Sequence, residues 1–206
     1  MRLGHDLLWI VAKLFSLPED PVTHAERLAA LRAELAHAGV DGFLVPRADE
    51  HLGEYVPPAG ERLAWLTGFT GSAGLAVVLA DRAVLFTDGR YTTQAAQQTD
   101  PALWDRRHIT EEPPAAWLRE HAAGLRIGYD PWLHAEAGLQ RLEEAGVTLV
   151  PLAANPSHAI CADRPAPPMA PALVHPAEFA GRAAAEKRAE AAAALRAAGQ
   201  DAAVLA

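Results

Sequence analysis

The chain has a single cysteine, no apolar run long enough to span a membrane and no cluster of basic residues, and each shortage removes a class of protein. One thiol, Cys161, cannot build an internal disulfide framework and suits a reducing compartment. No positive neighbour in the sequence lowers its pKa, so Cys161 reads as a small hydrophobe rather than a nucleophile. Near the amino terminus an apolar stretch over residues 7–15 is interrupted by Lys13 and falls short of the roughly 20 residues a span requires. The S-L-P-E-D that follows offers no small-x-small cleavage site, which argues against a secretory leader. A formal net charge of −8 opposes phosphate backbones. These absences predict a cytoplasmic protein whose partners are neither nucleic acid nor membrane. The histidines His5, His24, His37, His108, His121, His134, His158 and His175 form no H-x-x-x-H or H-E-x-x-H pair, and they read as surface residues.

Of 206 residues, half are apolar and 21% charged, enough for one good core and part of a second. Leu28, Leu31, Leu35 and Ala38 recur at helical spacing, Gly39 stops that helix, and Gly42-Phe43-Leu44-Val45 continues as a strand. Gly68, Gly71 and Gly74 then punctuate a turn-rich approach to two β-type runs, residues 75–80 and 83–87, joined by the short Asp81-Arg82 turn. A polar helix is expected over residues 91–99 and another around Trp117-Leu118, ending near Gly124. A strand at 126–129 leads into Asp130-Pro131, a helix through Leu139, Leu142 and Ala145 stops at Gly146, and a strand follows at 147–152. Helices alternating with strands predict an α/β fold, a mixed β-sheet flanked by helices.

Pro156, Pro165, Pro167, Pro168, Pro171 and Pro176 mark a stiff segment that cannot be one helix. Beyond it an alanine-rich helix ends at Gly199, and Gly199-Gln200-Asp201-Ala202-Ala203-Val204 repeats the order of Gly39-Val40-Asp41-Gly42-Phe43-Leu44. The expected organisation is an extension at 1–23, a domain at 24–155, a proline-rich linker at 156–180, and the truncated beginning of a second similar domain at 181–206. A strand starting at the terminus lacks partners of its own, which predicts a piece of a longer protein.

Three constellations are candidates for chemistry. Asp49, Glu50, His51 and Glu54 are close enough to hold a metal or share a proton, but Asp49 capping a short helix explains them without a ligand. The sequence T-G-S-A-G around Ser72 misses the nucleophile elbow because Thr70 stands where a glycine is needed and a strand follows, which also excludes a phosphate loop. Arg90 is expected in the first turn of a helix capped by Asp88, where the helix dipole disfavours a cation. Two roles can hold it there: an ion pair with Asp88 or Glu61, or recognition of a carboxylate from a substrate or a facing domain.

Several segments occur together: V-P-R-A-D-E-H-L-G-E-Y-V-P-P (45–58), W-L-T-G-F-T-G-S-A-G (65–74), T-D-G-R-Y (87–91), I-G-Y-D-P (127–131) and A-D-R-P-A-P-P (162–168). In this order they resemble the amino-terminal domain of the three-domain aminopeptidases P, within the creatinase/prolidase family. The resemblance implies a parent Xaa-Pro aminopeptidase, a hydrolase that removes the residue preceding proline, so its substrate is a peptide with proline at the second position. In that family two divalent ions, typically manganese, are held by two aspartates, a histidine and two glutamates in a carboxy-terminal domain. The resemblance therefore implies no catalytic residue and no metal ligand or cofactor in this chain, with the missing carboxy-terminal domains as partners and a homodimer as the assembly. It assigns Arg90 to substrate binding, since the arginine of T-D-G-R-Y has that role in the family. His158 and Cys161 depart from the pattern, which usually has aspartate and tryptophan there. The alternative is a stand-alone binding or regulatory module that kept the fold without peptidase activity.

Overall fold

The computed structural model describes residues 22–203, so the extension at 1–21 and the expected strand residues 204–206 lie outside the described residues. The chain divides into two compact units, Met1–Pro168 and Met169–Ala206. Among the described residues the first opens with α1 (His24–His37), which starts with a capping box. The Thr23 hydroxyl accepts from the Glu26 amide at 3.2 Å, and the Glu26 carboxylate accepts from the Thr23 amide at 2.7 Å. Leu28, Leu31 and Leu35 point inward from this helix, each burial contributing on the order of 2 kcal/mol. Gly39, at φ +66°, ends α1 by taking the left-handed conformation that side chains resist.

Six strands follow: β1 (Gly42–Pro46), β2 (Leu75–Leu79), β3 (Ala83–Thr87), β4 (Asp105–His108), β5 (Arg126–Tyr129) and β6 (Thr148–Pro151). They form one sheet in the order β4-β3-β2-β1-β5-β6. The helices between them are α2 (Arg62–Thr67), α3 (Thr92–Gln98), α4 (Pro114–His121) and α5 (Glu136–Glu143). Alternation along the strands divides the core in two. Phe43, Val45, Ala76, Val78 and Leu85 face α1 and α2, where Leu63 and Leu66 join the leucines of α1. Leu44, Val77, Val84, Phe86 and Ile127 face Trp117 and Leu118 of α4 and Leu142 of α5. The expected mixed sheet flanked by helices is therefore the observed architecture.

Strand β4 was not anticipated. Its residues, Asp-Arg-Arg-His, carry no apolar alternation, and they pair in parallel with β3 at the sheet's edge, where charged side chains discourage further pairing. Pairing directions then decide where function can sit. Only β2 runs against its neighbours, so β1, β3, β4, β5 and β6 all end on the same edge, joined there by the start of β2.

The expected linker begins with structure. Asn155 caps α6 (Pro156–Ile160) by accepting from the Ser157 amide, Pro156 and Ser157 are buried, and Ile160 packs on the core of the first unit. The second unit contains α7 (Ala177–Ala180) and α8 (Ala184–Ala197), separated at Gly181 with φ +72°. Helix α8 lies 160 residues on from α1 at both ends. Its exit matches as well: the Gln200 amide donates to the Leu195 carbonyl at 2.9 Å, as the Val40 amide donates to the Leu35 carbonyl at 3.1 Å, with Gly199 at φ +68°.

Candidate functional site

The shared edge where five strands end is the crevice side of an open α/β sheet, the usual position for ligands. Strand β3 delivers Asp88-Gly89-Arg90-Tyr91 to it. The expectation that Asp88 caps a helix containing Arg90 is corrected here: α3 starts at Thr92, with Tyr91 before it. Asp88 instead closes a turn, accepting from the Arg90 amide at 2.9 Å, while the Tyr91 amide donates to the Asp88 carbonyl at 3.0 Å. Arg90 thus precedes the helix.

Its guanidinium donates to Asp88 through Nε at 3.1 Å and Nη2 at 2.8 Å, which leaves Nη1 without a protein partner among the described residues. The Arg90 side chain is 67% exposed, against 25% for Asp88. Hydrogen bonds from Arg90 hold the Asp88 carboxyl below its ordinary value, and the same pairing raises Arg90. Of the two structural partners expected from the sequence, Asp88 makes the contact and no Arg90–Glu61 ion pair is observed among the described residues.

Behind the arginine, its guanidinium carbon lies 5.1 Å from the centre of the Tyr91 ring, a cation–π distance. Tyr91 in turn meets Phe69 edge-on at 5.8 Å and bonds Ser72 at 2.6 Å through its hydroxyl. That bond lowers the Tyr91 pKa. Ser72 therefore supports the Arg90 platform, and no base among the described residues bonds its hydroxyl. The turn that carries Ser72 is tight because Gly71 is there: a Cβ at that position would lie 2.2 Å from the Phe69 ring. Thr87 pins it from β3, donating its hydroxyl to the Ala73 carbonyl at 2.7 Å.

The acidic cluster after β1 is not a helix start either. Asp49 is buried and its Oδ1 accepts from the amides of His51 at 3.1 Å and Gly53 at 3.0 Å, folding residues 49–53 into a loop. Chiefly the Gly53 bond keeps the Asp49 carboxyl below its usual range. Leu52 follows at φ +51°, an uncommon conformation for a branched side chain. Glu50 pairs with Arg62 of α2, and Arg47 donates to the Glu54 carbonyl. His51 and Glu54 are exposed, and the Glu54 charge acts on Arg90. Among the described residues no three His, Cys, Asp or Glu side chains could hold a metal ion together. The donor set does not fit a metal pair.

Sequence reading missed a second polar group at this edge. Arg62, whose side chain is only 3% exposed, donates from Nε to His158 Nε2 at 2.8 Å and from Nη2 to Glu50. Asp130 accepts from the Trp132 amide at 3.0 Å and from Asn155 at 2.9 Å, joining the ends of β5 and β6. An arginine opening a short helix, R-L-A-W-L-T, gave a weak signal, because its partners come from remote stretches of chain.

A six-stranded mixed sheet with helices on both faces is the architecture this chain shares with creatinase/prolidase amino-terminal domains. The chain belongs to the creatinase/prolidase N-terminal domain family, whose model matches residues 27–155. It is 39% identical over 183 residues to a probable Xaa-Pro aminopeptidase P of Coccidioides posadasii, covering 85% of this chain and 28% of that relative. A probable Xaa-Pro aminopeptidase P of Arthroderma otae is 38% identical over 187 residues, covering 86% of this chain and 30% of the relative. Among solved structures, X-prolyl aminopeptidase from Caenorhabditis elegans, a cytosolic enzyme with a di-nuclear active site, superposes with a TM-score of 0.76 at 30% identity. That match covers 86% of this chain and 32% of the worm enzyme. The chain thus spans about a third or less of the length of these relatives. No helix among the described residues is long and apolar enough to cross a membrane.

Proposed function

We propose that this chain is the amino-terminal, non-catalytic part of a cytoplasmic Xaa-Pro metalloaminopeptidase, and that Arg90 binds its peptide substrate. The observation that carries the reading is the division of labour on one guanidinium. Asp88 engages Nε and Nη2 and orients the group, while Nη1 has no partner among the described residues and Arg90 stands at the edge where ligands of α/β sheets bind. The Tyr91 ring supports it from below and lets the charge stand in solvent without floppiness. A peptide carboxylate or backbone carbonyl is the acceptor this geometry suits.

The bond-breaking chemistry belongs to the metal pair, which in the worm relative forms a di-nuclear site. Two divalent ions, manganese by the family pattern, would generate hydroxide and polarise the scissile carbonyl. Because the donors described here do not fit such a pair, the ligands are assigned to carboxy-terminal domains. Residues 24–155 then form the domain proper, and residues 181–206 open a second domain of like fold, a reading supported by the matching exits of α1 and α8. A homodimer completes the proposal.

In the full-length enzyme, Arg90→Ala is expected to lower kcat/KM for Xaa-Pro peptides on the order of ten- to a thousandfold, roughly 1.4 to 4 kcal/mol of transition-state stabilisation. Melting should barely change. Arg90→Lys should recover activity only in part, because lysine lacks the fork. An alanine variant that melts much earlier but turns over normally while folded would reduce Arg90 to a structural ion pair.

A further inference from the structure

The Arg62 guanidinium is buried between three elements, and each of its nitrogens has one partner. Nε donates to His158 on α6, Nη2 donates to Glu50 in the loop after β1, and Nη1 reaches the Gly60 carbonyl at 3.4 Å. An arginine has no acceptor and keeps its proton in proteins, so His158 Nε2 accepts, and the imidazole is neutral with its hydrogen on Nδ1. That tautomer follows from the hydrogen-bond network.

We propose that His158, Arg62 and Glu50 form a proton-operated clamp that holds the loop of residues 49–55 closed while His158 is neutral and releases it when His158 is protonated. A protonated imidazole has only donors, so the 2.8 Å bond to Arg62 is lost and two cations face each other in a half-buried site. The Glu50 carboxylate, which together with His158 lines a groove beside Asp130 and Trp132, is then drawn toward a second cation and leaves its single geometry on Arg62.

The charges around His158 come from every side. Arg62 stands on α2 and Arg164 follows α6, where its Nε is tied to the Ala59 carbonyl at 2.9 Å. Glu50 belongs to the clamped loop, and Asp130 ends β5. Glu61 and Cys161 line the adjoining cleft, with Asp163 bonded to the Cys161 thiol. Burial first, then Arg164 and Arg62, push the His158 pKa down, with Asp130 and Glu50 opposing. The neutral, clamped form therefore prevails at neutral pH and gives way on acidification below the ordinary histidine range.

The clamped loop has a strained residue. Leu52 sits at φ +51°, a conformation that persists only while its surroundings hold it. Glu54, two residues on, adds the smallest of the charges that raise the Arg90 pKa, after Asp88 and Tyr91. The clamp does not depend on Arg90 having a substrate role.

The test uses the 206-residue chain alone. Nuclear magnetic resonance should show the Arg62 Nε–H as a protected signal at pH 7.5 that disappears with the same midpoint as the His158 imidazole titrates. Protection factors for the His51 and Gly53 amides, both bonded to Asp49, should fall several-fold over that range. His158→Gln keeps a neutral acceptor without a titration and should hold these amides protected at pH 5.5, whereas Glu50→Gln should loosen them at every pH. Constant amide protection while His158 titrates would overturn the proposal. So would equal loosening in His158→Gln, which would assign the transition to Glu61, whose pKa is raised by burial.

Discussion

His134 offers a quantitative test of the fold through its proton. Its Nε2 is sealed from solvent with no hydrogen-bond partner among the described residues, its ring meets Tyr129 edge-on at 5.9 Å, and burial depresses its pKa to about 4 against the opposing pull of Asp130. Well above pH 6.5, from about pH 8, the imidazole is neutral whether folded or unfolded and adds no pH dependence. As pH falls from there toward 4, the unfolded chain takes up a proton that the folded chain refuses, and stability drops with pH. With unfolded and folded values of 6.5 and about 4, the loss is about 2 kcal/mol at pH 5 and approaches about 3 kcal/mol below pH 4. For a chain of this size, 2 kcal/mol corresponds to a fall in Tm of about 4–8 °C. Urea unfolding at pH 7, 6, 5 and 4.5 should be run on the native chain and on His134→Phe, which keeps an aromatic ring against Tyr129 and cannot titrate. Carboxylates and His158 contribute the same background to both, so the difference between the two curves isolates His134. Parallel curves from pH 7 to 4.5 would refute the reasoning.

Gly42→Ala should destabilise the first unit by about 1–3 kcal/mol, since the new Cβ would lie 2.5 Å from Leu79 Cδ2 and 2.8 Å from the Val78 carbonyl, an atom locked in the β1–β2 ladder; denaturant midpoints check this. Thr23→Ala should cost about 1 kcal/mol by removing the capping box of α1, measured the same way, with Thr23→Ser nearly neutral. Limited proteolysis should cut first within residues 169–176, which are exposed and outside helix or strand, and should leave the first unit intact by mass spectrometry. Dialysed chain should retain no stoichiometric manganese or zinc; an ion held by His51 and Glu54, lost on substituting either, would reverse the assignment of that cluster.

The amino-acid sequence by itself determined the elements whose signal is local. Leucines spaced along α1, the alternating runs of β2 and β3 around Asp81-Arg82, and the glycines that end α1, α5 and α8 each act through neighbours a few residues away, where side-chain size and backbone freedom suffice. Arg90 was legible for the same reason, as a cation directly after a strand. Tertiary structure alone decided β4, whose charged residues become a strand only because the backbone of β3 offers an open edge. It turned Asp49 from an expected helix cap into the buried centre of an otherwise exposed loop, and it moved Asp88 and Arg90 into a turn ahead of the helix. It also brought His158 to Arg62 from 96 residues away. A buried polar group takes whichever partner the packed elements place within hydrogen-bond reach, because leaving it unpaired costs more than the local conformations differ, and that choice exists only once the chain has closed around it.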